Sequence, residues 1–295
     1  TGSYNIGSQS QIPTMKSKSI LITGCSSGIG LCVAHGLHKR GHRVIASCRH
    51  SADVEELREQ GLECIQLDLN DSTSVRNAAK KCLQLCDGQL DALFNNGAFG
   101  LAGAVEDLSR EAIRDQFETN VFGWLELTNQ LIPVMRRQGS GRIIQNSSVL
   151  GFVALPYRGA YAASKYAIEG LSDTLRLELA GTGIRVSLIE PGPIESQFRS
   201  NAEKAFRRYI KREGSAHEQN YLAMEQRLQK QGHAVRFTLP PEAVLEKVIH
   251  ALESERPRAR YYVTFPTYLF GYLKRLLSSH AIDRLMLKVS GEGKR

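Results

Sequence analysis

No stretch of the 295-residue chain approaches the ~20 consecutive apolar residues that a membrane-crossing helix requires. Its 26 glycines and 9 prolines are too few and too irregular for a collagen-like or low-complexity chain. At 42% hydrophobic and 23% charged residues, the composition also excludes intrinsic disorder. Paired Cys-x-x-Cys motifs are missing. The six cysteines (Cys25, Cys32, Cys48, Cys64, Cys82 and Cys86) have no histidine cluster beside them, so no metal centre is expected. A long chain without a secretory signal suits a reducing cytoplasm, where such thiols stay free. Charge is absent from the first fourteen residues, TGSYNIGSQSQIPT, which also lack periodicity. Residues 1–15 are therefore expected to be an unstructured or cloning-derived tail, followed by a single domain over 16–295.

The formal net charge of +8 by itself suits a nucleic-acid binder. Its placement argues otherwise. Residues 1–196 hold 19 Lys and Arg against 20 Asp and Glu, whereas residues 197–295 hold 19 against 10. The first two thirds are neutral, and the basic last third has no recognisable nucleic-acid-binding motif. No nucleic-acid partner is expected.

What is present is an alternation of two patterns. Short apolar runs occur at 19–23 (SILIT), 43–47 (RVIAS), 63–67 (ECIQL), 92–95 (ALFN), 142–147 (RIIQNS) and 184–190 (IRVSLIE). Amphipathic stretches at 30–40, 72–86, 110–137 and 159–180 lie between them, bounded by breakers such as Gly41, Gly61, Gly88 and Gly183. Apolar strands alternating with helices indicate a parallel sheet covered on both faces. Right-handed crossovers then give a doubly wound, Rossmann-type α/β domain of about seven strands, with a nucleotide site at their carboxyl ends. Beyond residue 197 the pattern predicts helices over 201–231 and 240–252, a last strand at 261–265 and an apolar-basic tail.

The first strand runs into Thr23-Gly24-Cys25-Ser26-Ser27-Gly28-Ile29-Gly30. Glycines at 24, 28 and 30 allow a sharp turn and a close approach to a pyrophosphate, and the helix N-terminus supplies unpaired N–H groups. Glycine spacing alone is a weak signal; its position between a strand and a helix strengthens it. The second strand ends Ala46-Ser47-Cys48-Arg49-His50, without the carboxylate that would bind a ribose 2′-hydroxyl. Arg49 can instead bond a 2′-phosphate, so NADP(H) is expected over NAD(H); the competing reading is a solvated surface arginine.

Tyr161 and Lys165, spaced i,i+4 at the start of a helix, share a face. A tyrosine hydroxyl ordinarily titrates near pH ~10, and a neighbouring ammonium lowers that value, which suits general acid–base catalysis. Such a pair is common by chance, and its weight comes from its company. Ser147-Ser148 closes a strand upstream, Asn120 sits mid-helix where asparagine needs a specific partner, and Pro191-Gly192-Pro193-Ile194 follows the sixth strand.

In order and spacing, TGCSSGIG (23–30), Asp68-Leu69, NNGA (95–98), Asn120, Ser148, YAASK (161–165) and PGPI (191–194) resemble the short-chain dehydrogenase/reductase family. The likeness is to its standard type, with a T-G-x3-G-x-G loop, and covers residues 18–196. SLIEPGPI, RGAYAASKYAIEGLSD and RFTLPPEAVLEKV are further similar to bacterial NADP(H)-dependent aldehyde reductases of that family, which are related to retinol and hydroxysteroid dehydrogenases. The resemblance implies that Tyr161 donates a proton to a carbonyl and that Lys165 tunes it and binds the nicotinamide ribose. Ser148 would orient the carbonyl oxygen, and Asn120 would hold a water linking Lys165 to solvent. Gly24, Ser26, Ser27, Gly28, Ile29 and Gly30 would line the cofactor, with Arg49 on its 2′-phosphate. Asp68 and Leu69 would meet the adenine, Asn95 the adenosine ribose region, and Pro191 and Ile194 the nicotinamide. A homodimer or homotetramer is also implied. Two departures stand out. The usual Asn-Asn-Ala-Gly is here Asn95-Asn96-Gly97-Ala98, which strains Ala98 if that position needs φ > 0, and the usual threonine beyond Pro-Gly-x-Ile is Ser196.

The resemblance also implies a substrate lid at 197–240, with 256–295 as a C-terminal extension. The basic run 204–212 reads as a solvated helix face or as attraction for an acidic ligand. The aromatic segment 261–273, interrupted by Pro266 and followed by Lys274-Arg275, reads as the wall of an apolar substrate pocket or as a peripheral membrane contact. Phe122 and Trp124 read as core or subunit-interface residues. The expectation is an NADPH-dependent reductase, of the alcohol:NADP+ oxidoreductase class, for apolar aldehydes, with ketones, retinoids or steroids as further substrates. The rival is a non-catalytic NADP(H)-binding or scaffold protein on the same fold, which the loss of Asn120, Ser148, Tyr161 or Lys165 would favour. All four are present.

Overall fold

A computed structural model describes residues 17–229 and 237–291, so the expected tail at 1–15 and part of the expected lid, 230–236, lie outside the described residues. Seven strands form one parallel sheet in the order β3-β2-β1-β4-β5-β6-β7. They are β1 (Ser19–Ile22), β2 (Arg43–Cys48), β3 (Glu63–Gln66), β4 (Ala92–Asn95), β5 (Gly141–Asn146), β6 (Ile184–Glu190) and β7 (Arg260–Tyr262). The doubly wound α/β fold expected from the pattern is the fold observed.

Strand side chains alternate between the two faces, and both are apolar. Ile20, Ile22, Val44, Ala46 and Phe94 face one core, and Leu21, Ile45, Leu93 and Ile143 face the other. The first core is closed by α1 (Gly28–Lys39), α2 (Ser51–Glu59) and, from far along the chain, α9 (Glu242–Glu253). The second is closed by α3 (Ser72–Leu85), α5 (Gly123–Gln138) and α6 (Gly159–Glu178), with the short α4 (Arg110–Phe117) leading into α5. Each fully buried aliphatic side chain contributes about 1.5–3 kcal/mol to folding. The strand order reverses between β1 and β4, so the chains leaving those strands part to opposite faces and open a crevice at the sheet's carboxyl edge.

Three predicted elements differ in detail. The stretch 110–137 is not one helix: a wider π-helical turn, Glu118–Phe122, separates α4 from α5. The stretch 201–231 divides into α7 (Phe198–Tyr209) and α8 (Glu218–Gln229), with Gly214 at φ +79° in the break. Pro266 interrupts nothing. It stands in the first turn of α10 (Phe265–Leu276), where a missing N–H has no helical partner to lose, and α11 (Ser279–Val289) follows.

Candidate active site

The loop after β1 is shaped by close approach. Gly24 and Gly28 have φ of +70° and +56°, in the left-handed region that glycine enters freely. A Cβ on Gly24 would lie 2.6 Å from Gly97 Cα, and one on Gly30 would lie 2.1 Å from the Gly24 carbonyl oxygen. Ser27 caps α1 without a side-chain capping bond, and the first turn of α1 holds no acidic residue. The N–H groups and positive dipole end of α1 are therefore left for an anion. Gly24, Ser26, Ser27, Gly28, Ile29 and Gly30 all lie on this turn, and its shape and polarity fit a dinucleotide pyrophosphate.

Neighbouring loops are tied to it. The Thr23 hydroxyl accepts from the N–H groups of Asn96 and Gly97, each at 2.8 Å. Asn96 Nδ2 donates to the carbonyls of Thr23 (2.9 Å) and Gly24 (3.1 Å), while Asn96 Oδ1 accepts from Asn146 Nδ2 at 2.9 Å. Asn95, the residue expected at the adenosine ribose, turns the other way. It is fully buried and gives its amide N–H groups to Thr128 Oγ1 (3.0 Å) and Gln145 Oε1 (2.9 Å). The reason is strand alternation: Asn95 follows Leu93 onto the α5 face, and Asn96 faces the crevice. Neither Gly97 nor Ala98 has a positive φ, so their exchanged order causes no strain.

At the ends of β2 and β3 a cavity of about 860 Å³ is lined by Arg49, His50, Asp68, Asn70 and Lys81, among others. Arg49 is exposed there, its Nε donating to His50 Nε2 at 3.2 Å. Asp68 Oδ1 accepts from the Asn70 N–H at 3.0 Å. Leu69 is buried against the Gly97 loop, and its carbonyl oxygen sits only 2.2 Å from where a Cβ on Gly123 would stand.

Ser148, Tyr161 and Lys165 lie across the crevice. Beyond β5, Ser148 opens a short 3₁₀ turn (Val149–Gly151) and its Oγ accepts from the Leu150 N–H at 3.1 Å. Tyr161, in the first turn of α6, has Ser148 beside its hydroxyl and stacks edge-on against Phe198, with ring centroids 5.2 Å apart. Lys165 stands one turn further on and is 2% exposed. Its Nζ donates to the Asn146 carbonyl at 2.7 Å and lies 4.3 Å from the centroid of the Trp124 ring. Burial pushes the Lys165 ammonium down to about 7, against the opposing pull of the Glu169 carboxylate. Burial also pushes the Tyr161 hydroxyl up to about 12, although the Ser148 hydrogen bond acts to lower it. Burial thus moves the phenol opposite to the direction that the sequence expectation gave to Lys165. Desolvation is the largest influence on Tyr161, and it outweighs that of Ser148.

Asn120 occupies the π-helical turn, which lets its side chain leave the regular helical ladder. Its Nδ2 donates to the Phe99 carbonyl (2.9 Å) and to Ser164 Oγ (3.1 Å), and its Oδ1 accepts from the Phe99 N–H (3.1 Å). Both amide N–H groups are therefore engaged in fastening the Phe99 loop to α6. The segment beyond β6 closes the crevice. The Pro191 carbonyl accepts from the Val149 N–H at 2.8 Å, and a Cβ on Gly28 would come 2.9 Å from Ser196 Cβ. Ile194, partly buried against the α1 core, forms a parallel bridge with Leu239, so the expected lid departs from and returns to one point. Within it, Arg207 pairs with Glu203 (3.0 Å), Arg208 with Asp115 (3.5 Å) and Arg212 with Glu225 (2.8 Å). Much of the basic run is thereby neutralised locally.

A family model described as short chain dehydrogenase matches residues 18–206. The chain belongs to the short-chain dehydrogenase/reductase family. This short-chain dehydrogenase/reductase is 44% identical over 269 residues to the uncharacterized oxidoreductase YbbO of Escherichia coli strain K12, covering 91% of this chain and 94% of that one. It is 33% identical over 260 residues to human 17-beta-hydroxysteroid dehydrogenase type 1, covering 83% and 77% of the two chains. Among solved structures it resembles a Burkholderia phymatum member of the family in complex with NAD. That match has a TM-score of 0.73 and 25% identity, and covers 92% of this chain and 96% of the other. The protein is an oxidoreductase with an NAD(P)-binding fold.

Four residues of the site escaped the sequence reading. Trp124, the only tryptophan, is more than core: it donates Nε1–H to the Gly97 carbonyl at 2.7 Å and lies beneath Lys165. Its spacing of four from Asn120 was the available signal. Asn96 and Asn146 join the loops, and the doubled asparagine at 95–96 hid which one faces the crevice. Glu169, spaced i,i+4 from Lys165, could have been read as its carboxylate neighbour.

Proposed function

We propose that this short-chain dehydrogenase/reductase uses NADPH to reduce apolar aldehydes, with ketones, retinoids or steroids as further substrates. The observation that carries the reading is the Tyr161 hydroxyl, set beside Ser148 and held by burial with its proton on far above neutral pH. A phenol in that state serves as a general acid, which is what carbonyl reduction needs. The nicotinamide, when bound, supplies the hydride that reaches the carbonyl carbon. Tyr161 delivers its proton to the carbonyl oxygen, and Ser148 with Tyr161 stabilises the charge developing there. Lys165 and the glycine loop hold the reactants in place, and confinement of the two contributes much of the acceleration. Val149, Leu150, Phe152 and Leu155 pack in one cluster with Tyr161, an apolar surround that favours an apolar substrate over a sugar. Arg49 in the cavity beyond β2 supports NADPH over NADH, since its guanidinium suits a 2′-phosphate.

The same reading takes the protein as a cytoplasmic homodimer or homotetramer. Six free cysteines suit that compartment, and Phe122 (49% exposed), with Leu125 (38%), offers an apolar contact near the start of α5. Among the described residues no helix is long and apolar enough to cross a membrane. The decisive assay follows NADPH absorbance across aldehydes of increasing chain length for wild type and Tyr161→Phe. The variant should lose roughly 10²–10⁴-fold in kcat while binding NADPH as before. Equal turnover by both proteins would remove Tyr161 from the chemistry, and no turnover by wild type with any aldehyde would leave the cofactor-binding scaffold reading.

A further inference from the structure

The exposed apolar residues of the C-terminal hairpin are not scattered. On α10, Phe265, Leu269, Tyr272 and Leu276 fall at i, i+4, i+7 and i+11, a single stripe. Phe265 is 59%, Tyr272 60% and Leu276 80% exposed, whereas Thr267, Phe270 and Gly271 on the opposite side are buried. An amphipathic helix on a water-facing surface turns its apolar stripe inward. Here α10 presents large apolar side chains outward along about 18 Å of helix. Phe237, where the lid rejoins the domain, lies 5.2 Å from Phe265, ring to ring, and extends the patch.

Beside the stripe is a second cavity, of about 270 Å³, lined by Lys247, Arg258, Arg275, Tyr262, Tyr268 and Tyr272 among others. Arg260 borders it too, but is held by Glu169, Glu190 and Asp173. Lys247, Arg258 and Arg275 form no ion pair with a carboxylate among the described residues. Three cations converging without a counter-charge, with tyrosines between them, match an anion that has several acceptor oxygens.

We propose that this face docks on a bilayer of anionic phospholipid, the α10 stripe entering the acyl boundary and the Lys247–Arg258–Arg275 cavity taking a lipid phosphate. Charge selects this occupant over a second copy of the chain. From 265 to 289 the hairpin carries Lys274, Arg275, Arg284 and Lys288 against Asp283 alone. Two such faces would repel, and an anionic surface complements them. The placement also serves the proposed reaction, because Phe270 and Met286 share the cluster that contains Tyr161. Lipid docking itself needs no turnover.

The test is co-sedimentation of the full chain with vesicles of phosphatidylcholine alone or mixed with phosphatidylglycerol. Wild type should pellet at least tenfold more with the mixed vesicles, and added salt should release it. Leu269→Asp with Leu276→Asp should abolish pelleting. Arg258→Ala with Arg275→Ala should weaken it about fivefold per charge, with melting temperatures unchanged because all four side chains are exposed. Absence of wild-type pelleting with the mixed vesicles overturns the proposal. A concentration-dependent dimer that the double aspartate variant dissolves also overturns it, assigning the stripe to self-association. Unaltered pelleting by the double alanine variant overturns the phosphate cavity.

Discussion

Replacing Lys165 by methionine keeps an unbranched side chain in a site that is 2% exposed and removes the ammonium. In the fold that ammonium is pushed down from 10.5 to about 7. Between those two values the unfolded chain holds a proton that the native one has released. Wild-type stability must therefore rise with pH across this interval and fall as pH drops from about 10 toward 7. At ~1.36 kcal/mol per pH unit, the buried lysine costs the fold about 4 kcal/mol near neutrality. The substitution also forfeits the bond to the Asn146 carbonyl, about 1–3 kcal/mol if that oxygen finds no new partner, and the contact with Trp124. Lys165→Met should accordingly be about 1–3 kcal/mol more stable than wild type near pH 7, and no more stable than wild type near pH 10.

Urea unfolding of both proteins at the two pH values reads this out, as the difference between their extrapolated stabilities. Two curves that shift in parallel with pH would show that the ammonium is not desolvated, and the reasoning would fail. A variant less stable than wild type at neutral pH would fail it equally. If the prediction holds, stability has been given up at Lys165, as its proposed role in binding and chemistry would require.

Two further outcomes bear on the cofactor crevice. Arg49→Ala should raise KM for NADPH roughly 10–100-fold, the equivalent of a lost charge-assisted bond, and leave KM for NADH nearly unchanged; a wild type that prefers NADH would refute the 2′-phosphate role. Gly123→Ala would place a Cβ 2.2 Å from the Leu69 carbonyl oxygen, and should cost about 1–3 kcal/mol as a lower urea midpoint. An unchanged midpoint would mean that the Asp68-Leu69 loop can move aside freely.

The sheet was legible because parallel strands are buried on both faces and so appear as short apolar runs. Leu21 and Ile22 point opposite ways and both are wholly buried. Tyr161 and Lys165 were legible for a similar reason, since helical spacing alone places them together. The break at Glu118–Phe122 was not legible, because it contains no proline and its only flanking glycine follows it at Gly123. What fixes that turn is tertiary: Asn120 bonds across to Phe99 and Ser164. The break between α7 and α8 did carry a signal, Gly214, which the helical spacing of its neighbours concealed. The sign of the Tyr161 shift was beyond sequence altogether. An ammonium four residues away lowers a phenol in water, but the depth of burial that reverses the outcome belongs to the assembled fold.

Charge distribution shows the same dependence on the fold. Counting along the chain separates a neutral first two thirds from a basic last third, as if the two were independent. Arg260 joins them. From β7 it reaches Glu169 and Asp173 on α6 and Glu190 at the end of β6, with Glu190 Oε1 and Asp173 Oδ2 each 2.6 Å from its guanidinium. Glu190 is completely buried, and its carboxyl is pushed up to about 8 by burial and by the adjacent Glu169 carboxylate, with Arg260 opposing. Without the guanidinium, two buried carboxyls would face each other one turn beyond Lys165, an arrangement that costs about 3–5 kcal/mol when one partner of a buried pair is removed. Arg40 and Glu253 join α1 to α9 with the signs exchanged. Part of the basic surplus therefore serves as internal counter-charge for the acids of α6 and β6. Arg258 and Arg275, exposed and meeting no carboxylate among the described residues, belong with Arg256, Arg284 and Lys288 to the part of it that the fold turns outward.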